Sequence, residues 1–270
     1  MNERGFSLIE IAIVLVIISV LVTIVAVPLS TQIEQRRLAD TEKQLETIKE
    51  AIVGFAIANG RFPCASRPSD NGVESIVSPT SGVCNSYSGL LPAVTLGLSP
   101  IDANGFAIDA WQTSQNRIRY AVMHIPSTSG SNCPTVPVTE PFTKKGGMNA
   151  ATMECLASYN NDVSAPYLTL ISVCAQSPTT SAPWPQPFCA ASKLTVSAPF
   201  VLISQGKNAP TGAALGSDEA FNAGTKGDGT VFVARNPSAA GAPGGEFDDI
   251  VVWPSLNTIF GRMVQAGKLP

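Results

Sequence analysis

Three groups of residues in this 270-residue chain have types and spacings that could do chemistry. The first is a single carboxylate. From Phe6 to Leu29 the chain is almost entirely aliphatic, and Glu10 is its only formal charge. A carboxylate inside a membrane-length segment costs about 2.5–3.5 kcal/mol on insertion scales, so Glu10 calls for a partner. The second group is six cysteines, Cys64, Cys84, Cys133, Cys155, Cys174 and Cys189, all beyond the apolar run. An even count in a loop-rich exported domain reads as a disulfide framework, and no pair has the C-x-x-C spacing of a metal or redox site. Six cysteines allow 15 pairings. Sequence proximity favours 64–84, 133–155 and 174–189, which close three short loops. The third group is the acidic stretch GGEFDDIVVW (244–253), with Glu246, Asp248 and Asp249 beside a strand-like run. Two readings stand there: solvated carboxylates at a hairpin entry, or a calcium site built from clustered oxygen ligands.

The element that must position Glu10 is a helix. The apolar run has the length of about 20 residues that a spanning helix needs, longer than the 7–15 of a secretory signal. No A-x-A cleavage site follows, and Pro28 stands where a peptidase would need access. Arg4 precedes the run, and Arg36 and Arg37 follow it, so counting charges leaves the orientation open.

The stretch RGFSLIEIAIVLVIIS resembles the class III leader of type IV pilins and of the pseudopilins of type II secretion. Its carriers are a short basic leader ending at Gly5, then Phe6, then Glu10 at the fifth position after it. The resemblance covers residues 1 to about 30. It implies a prepilin peptidase that cuts between Gly5 and Phe6 on the cytoplasmic side and methylates the new amine of Phe6. It also implies an inner-membrane location, a periplasmic C-terminal region, an inner-membrane assembly platform as a partner, and filament assembly with other pilin or pseudopilin subunits. The new Phe6 amine is one helical turn from Glu10, so a pair within one chain is geometrically open. In the family, the glutamate of one subunit neutralises the N-terminus of the previous one.

Past Thr31 the pattern becomes amphipathic. Leu38, Leu45, Ile48, Ile52 and Phe55 recur at helical spacings, with charges on the other faces and Lys49 within reach of Glu46. Asn59-Gly60 marks the stop. The expected divisions are a leader at 1–5, a transmembrane helix at 6–29, its amphipathic continuation at 30–60, and a periplasmic head at 61–270. Pro28 either kinks this helix or marks the membrane exit. The stretch Phe55, Asn59, Gly60, Phe62, Pro63 extends the resemblance, which implies an antiparallel sheet packed against the helix.

In the head, strands are expected within 116–125 (Ile118, Tyr120 and Val122 on one face), 167–175, 199–206, 230–235 and 249–253. A helix capped by Asn149 is expected over 149–158. A C-terminal helix is expected after Ser255, with Leu256, Ile259, Phe260, Met263 and Val264 as its stripe and Gly267 as its end. The fold class is therefore α+β, with an enlarged disulfide-containing region at 126–198.

Catalysis has no signature here. His124 is the sole histidine and lies in a strand-like context, and SQGKNAP lacks the flanking residues of a phosphate loop. A net charge of -3 and the lack of a basic patch argue against nucleic acid. The expectation is a non-enzymatic filament subunit, a minor one given its size. The alternative is an adhesin or cargo-recognition subunit whose Cys-rich head binds a partner. The major pseudopilins resembled carry a calcium-bound loop in their C-terminal sheet, and the acidic stretch is similar in position and acidity only.

Overall fold

In a computed structural model of the chain, the described residues are 7–113, 115–126, 133–158, 171–178, 189, 192–209, 218–224, 229–239, 241–243 and 245–269, and the side chains of 23–31 lie outside that description. The chain divides into two compact units, Met1–Asp40 and Thr41–Pro270.

Helix α1 (Leu8–Asn59) is continuous across Pro28. In the first unit its described apolar side chains, from Leu8 to Val22, are exposed. Among the described residues no helix is long and apolar enough to cross a membrane. Within the expected span, the described side chains of α1 reach only from 8 to 22, short of the roughly 20 residues a span requires. The expected span 6–29 runs beyond them at both ends.

In the second unit the amphipathic stripe does what its spacing demands. Leu45, Ile48, Ile52, Val53 and Ala56 are buried in one cluster with residues of the sheet and the C-terminal helix. Lys49 pairs with Glu46 on the outer side. The helix stops as expected: the Asn59 side-chain amide donates to the Phe55 carbonyl at 3.0 Å, and Gly60 takes φ +64°. A Cβ at Gly60 would lie 2.9 Å from the Gly146 Cα, so glycine is needed there for both conformation and clearance.

Past the helix, a bidentate pair fixes the chain. Arg61 donates to both carboxylate oxygens of Glu74, at 2.8 and 2.6 Å, while the Cys64 amide donates to the same carboxylate at 3.1 Å. The Cys64–Cys84 disulfide closes this loop.

Four strands, β1 (Ser88–Leu90), β2 (Arg119–Val122), β5 (Phe200–Ser204) and β7 (Ile250–Val252), form an antiparallel sheet in the order β1-β2-β5-β7. Tyr120 faces Leu202, and Leu202 faces Val252. Ile118, Tyr120 and Val122, expected on one face of 116–125, are all buried, and so is much of the other face. Tyr120, Ala121, Val122 and Met123 are all buried, because β2 lies inside the sheet and is covered on both faces.

A second, three-stranded sheet runs β4-β3-β6, from β4 (Lys193–Ala198), β3 (Ile171–Cys174) and β6 (Val231–Val233). Its β3–β6 pair is parallel, so the head holds a mixed sheet besides the expected antiparallel one. The uninterrupted buried run ISVC of β3 fits that central, doubly covered position.

The expected helix at 149–158 is two helices, α2 (Gly147–Ala151) and α3 (Met153–Ser158). Thr152 between them sits at φ +64°, which no helix tolerates, and the N-cap is Gly146 rather than Asn149. A short α4 (Glu219–Asn222) follows β5, and α5 (Leu256–Gln265) closes the chain. Ser255 caps α5 by accepting from the Thr258 amide. Leu256, Ile259, Phe260 and Met263 are buried, whereas Val264 is exposed.

Candidate functional site

Two groups of residues carry the candidate chemistry, one in each unit. In the first, Ser7 precedes the helix start. Its carbonyl accepts from the amides of Glu10 and Ile11, at 3.1 and 3.3 Å. Glu10 stands in the first turn of α1, and its Oε2 accepts from the Ser7 amide at 3.0 Å. This is the side-chain-to-backbone half of a capping box, in which a glutamate three residues into the helix satisfies an otherwise orphaned N–H. A negative charge there also opposes the positive end of the helix dipole. Gly5 and Phe6, the expected cleavage and methylation residues, lie outside the described residues.

In the second unit a carboxylate cluster forms from distant segments. Glu219 opens α4, and Asp248 and Asp249 lead into β7. Oxygen atoms of the three lie within 4.8 Å of one another, and Glu246 is not part of the trio. Glu219 and Asp249 are buried. The side-chain amide of Asn208 donates to both oxygens of Glu219 at 2.9 Å, and the Asp248 amide adds a third donor at 3.0 Å. Asn222 donates to Asp249 Oδ2 at 2.8 Å and binds the β6 backbone at Val233.

Asp248 is placed by the loop after β5. Ser204 donates to the buried Asp109 at 2.6 Å, Asn116 donates to the Gly206 carbonyl, and the Lys207 amide then donates to Asp248 Oδ2 at 3.0 Å. Among the described residues, Asp248 Oδ1 is buried with no hydrogen-bond donor to it. It lies against Gly206, where a Cβ would come within 2.4 Å of it.

These surroundings disfavour charge. Burial, then the neighbouring Glu219, pushes Asp248 up to about 6. Burial raises Asp249 well above the usual carboxylate range, with the nearby Arg119 pulling the other way. Three carboxylates held by amide donors form a hard-oxygen donor set of the kind calcium takes. The structure brings Asp248 and Asp249 of the sequence candidates into this cluster, with Glu219 in place of Glu246. Glu219 was missed because it lies about thirty residues away; its only signal was an acidic pair, Asp218-Glu219, ahead of a short helix.

The cysteines pair in sequential order, Cys64–Cys84, Cys133–Cys155 and Cys174–Cys189, as proximity favoured. His124 packs its ring on Tyr87 at 3.9 Å and meets Glu140 at 3.0 Å, a structural setting in a strand-like segment.

Residues 1–26 match the family described as the prokaryotic N-terminal methylation motif. That match supports reading the N-terminal segment as the leader of a type IV pilin-like prepilin. No curated protein and no solved structure matches the chain.

Proposed function

We propose that this chain is a structural, non-enzymatic subunit of a type IV pilin-like filament, either a pilus or a type II secretion pseudopilus. A prepilin peptidase cuts between Gly5 and Phe6 and methylates the Phe6 amine. Residues 6–29 anchor the subunit in the inner membrane, residues 30–60 continue the helix, and the disulfide-closed head from residue 61 lies in the periplasm. Other pilin-like subunits pack through the N-terminal helix, with Glu10 of one subunit neutralising the Phe6 amine of its neighbour. The observation that carries this reading is the methylation-motif match over residues 1–26, with Glu10 in the first turn of α1. The length of 270 residues favours a minor component.

Mass spectrometry of sheared filaments and membranes from the native cell tests the processing, and the expected mature N-terminus is N-methylated Phe6. Any other start would overturn the reading. Glu10→Ala is expected to keep insertion and cleavage while sharply reducing recruitment into filaments, read by immunoblot of the sheared fraction.

A second reading concerns the head. Glu219, Asp248 and Asp249 would hold a calcium ion that neutralises the cluster and ties the start of α4 to β7. It is favoured by the convergence of three carboxylates, two of them buried. Isothermal titration with calcium tests it, and no heat above the buffer blank would sink it.

A further inference from the structure

The Glu10 carboxylate has two oxygens, and the structure gives one of them a use within its own chain. Oε2 accepts from the Ser7 amide at 3.0 Å. The Ser7 carbonyl meanwhile accepts from the amides of Glu10 and Ile11. Those three contacts form one closed unit at the helix start. α1 begins at Leu8, three residues after the Gly5–Phe6 junction in sequence. The Ser7 amide belongs to the peptide bond just after Phe6, so cleavage at Gly5–Phe6 leaves it intact.

We infer that Glu10 is a positioning residue as well as a docking charge: it caps its own helix through Ser7 and so fixes where α1 starts, immediately downstream of the bond to be cut. This rests on the filament-subunit reading for the identity of that bond, but the cap itself does not. Three physical arguments support it. The donor is one of the first N–H groups of the helix, which have no partner inside the helix. In an apolar phase no water replaces a missing acceptor, so an uncapped amide is costlier there than in water. Finally, glutamate at the third helical position has the reach to bond the N-cap amide.

The two roles use different properties of one side chain. Capping needs an acceptor oxygen and no charge. Neutralising an ammonium needs the negative charge. With Oε2 on the Ser7 amide, a neighbour's amine is met by Oε1, so capping and docking coexist. An unassembled subunit thereby keeps one oxygen of its carboxylate satisfied before a neighbour arrives.

Substitution separates the roles. Glu10→Gln keeps an acceptor and removes the charge, whereas Glu10→Ala removes both. The experiment is amide hydrogen exchange by NMR at Ser7, Leu8 and Ile9 on the full-length precursor, ¹⁵N-labelled and held in detergent micelles. Wild type and Glu10→Gln are expected to protect the Ser7 amide about five-fold more than Glu10→Ala, the factor a typical helix cap supplies. Helix content by circular dichroism checks that all three remain folded. If Glu10→Ala fails that check, Glu10→Leu, which also lacks an acceptor oxygen, replaces it.

Equal exchange in all three proteins overturns the cap. So does a Glu10→Gln protein that behaves like Glu10→Ala, which would make the contact electrostatic. In the same cells, filament recruitment reports the docking charge independently. Glu10→Gln is expected to cap normally yet assemble poorly. A mature N-terminus other than Phe6 would refute the filament reading while leaving the exchange result standing.

Discussion

Replacing Asp248 by asparagine should stabilise the head at neutral pH, against the usual direction for a half-buried polar residue. Among the described residues, Asp248 has one carboxylate oxygen buried against Gly206 with no hydrogen-bond donor to it, and Glu219 and Asp249 share its site. Its acid form is therefore favoured in the folded chain, and its titration moves up to about 6 from the ordinary value near 3.9. The sign follows from linkage. The folded state holds a proton that the unfolded state has released, so stability falls as pH rises from about 4 to about 6. A shift of two units is worth at most ~3 kcal/mol. The side chain keeps some solvent, and screening reduces this to about 1–2 kcal/mol. The burial-driven rise at Asp249 acts in the same direction. In Asp248→Asn, the amide oxygen still accepts from Lys207, and the NH₂ can donate toward Glu219. The variant should thus gain about 1–2 kcal/mol at pH 7.5 in EDTA, and nearly nothing at pH 4. For a domain of this size, that is a rise in melting temperature of roughly 2–8 °C. Thermal unfolding of the full chain in detergent, followed by near-ultraviolet circular dichroism at pH 4, 5, 6 and 7.5, measures it. A variant that is destabilised at pH 7.5, or that keeps the wild-type pH slope, would refute the reasoning. Adding calcium at pH 7.5 should raise the melting temperature of wild type, through binding to the folded state alone, and should raise that of the variant less.

Other outcomes follow from the same structure. Glu74→Gln leaves the buried Arg61 guanidinium without its anionic partner, which should cost about 3–5 kcal/mol in urea unfolding; a loss under 1 kcal/mol would show that the pair is solvated. Arg61→Met with Glu74→Leu should cost less than Glu74→Gln alone, because no buried charge remains. Removing the Cys64–Cys84 bridge, with its separation of 20 residues, by a double serine substitution should cost about 3 kcal/mol, read by the same unfolding. Ile52→Ala, at a fully buried position of α1, should cost about 2–5 kcal/mol, with retained stability as the contrary result.

The amino-acid sequence alone determined the features that are local or periodic. Glu10 inside an aliphatic run, the stripe from Leu45 to Ile52, the stop at Asn59-Gly60 and the Ser255 cap all depend on neighbours within a few residues. Each was legible for that reason. The cysteine pairing was also legible, because the three bridges close short loops and proximity is a sequence property. Tertiary structure decided what depends on distant segments. That the second face of β2 is covered as well is a fact no residue of 116–125 encodes. The 149–158 helix broke at Thr152, whose positive φ nothing in its side chain foretells. The parallel β3–β6 pair joins strands about sixty residues apart. The carboxylate cluster is the clearest case. Asp248 and Asp249 stand together in the chain, but their third member, Glu219, comes from a distant segment whose helix α4 is tied to β6 through Asn222 and Val233. Electrostatics follows distance in space, so the chemistry of that site exists only once the chain has folded.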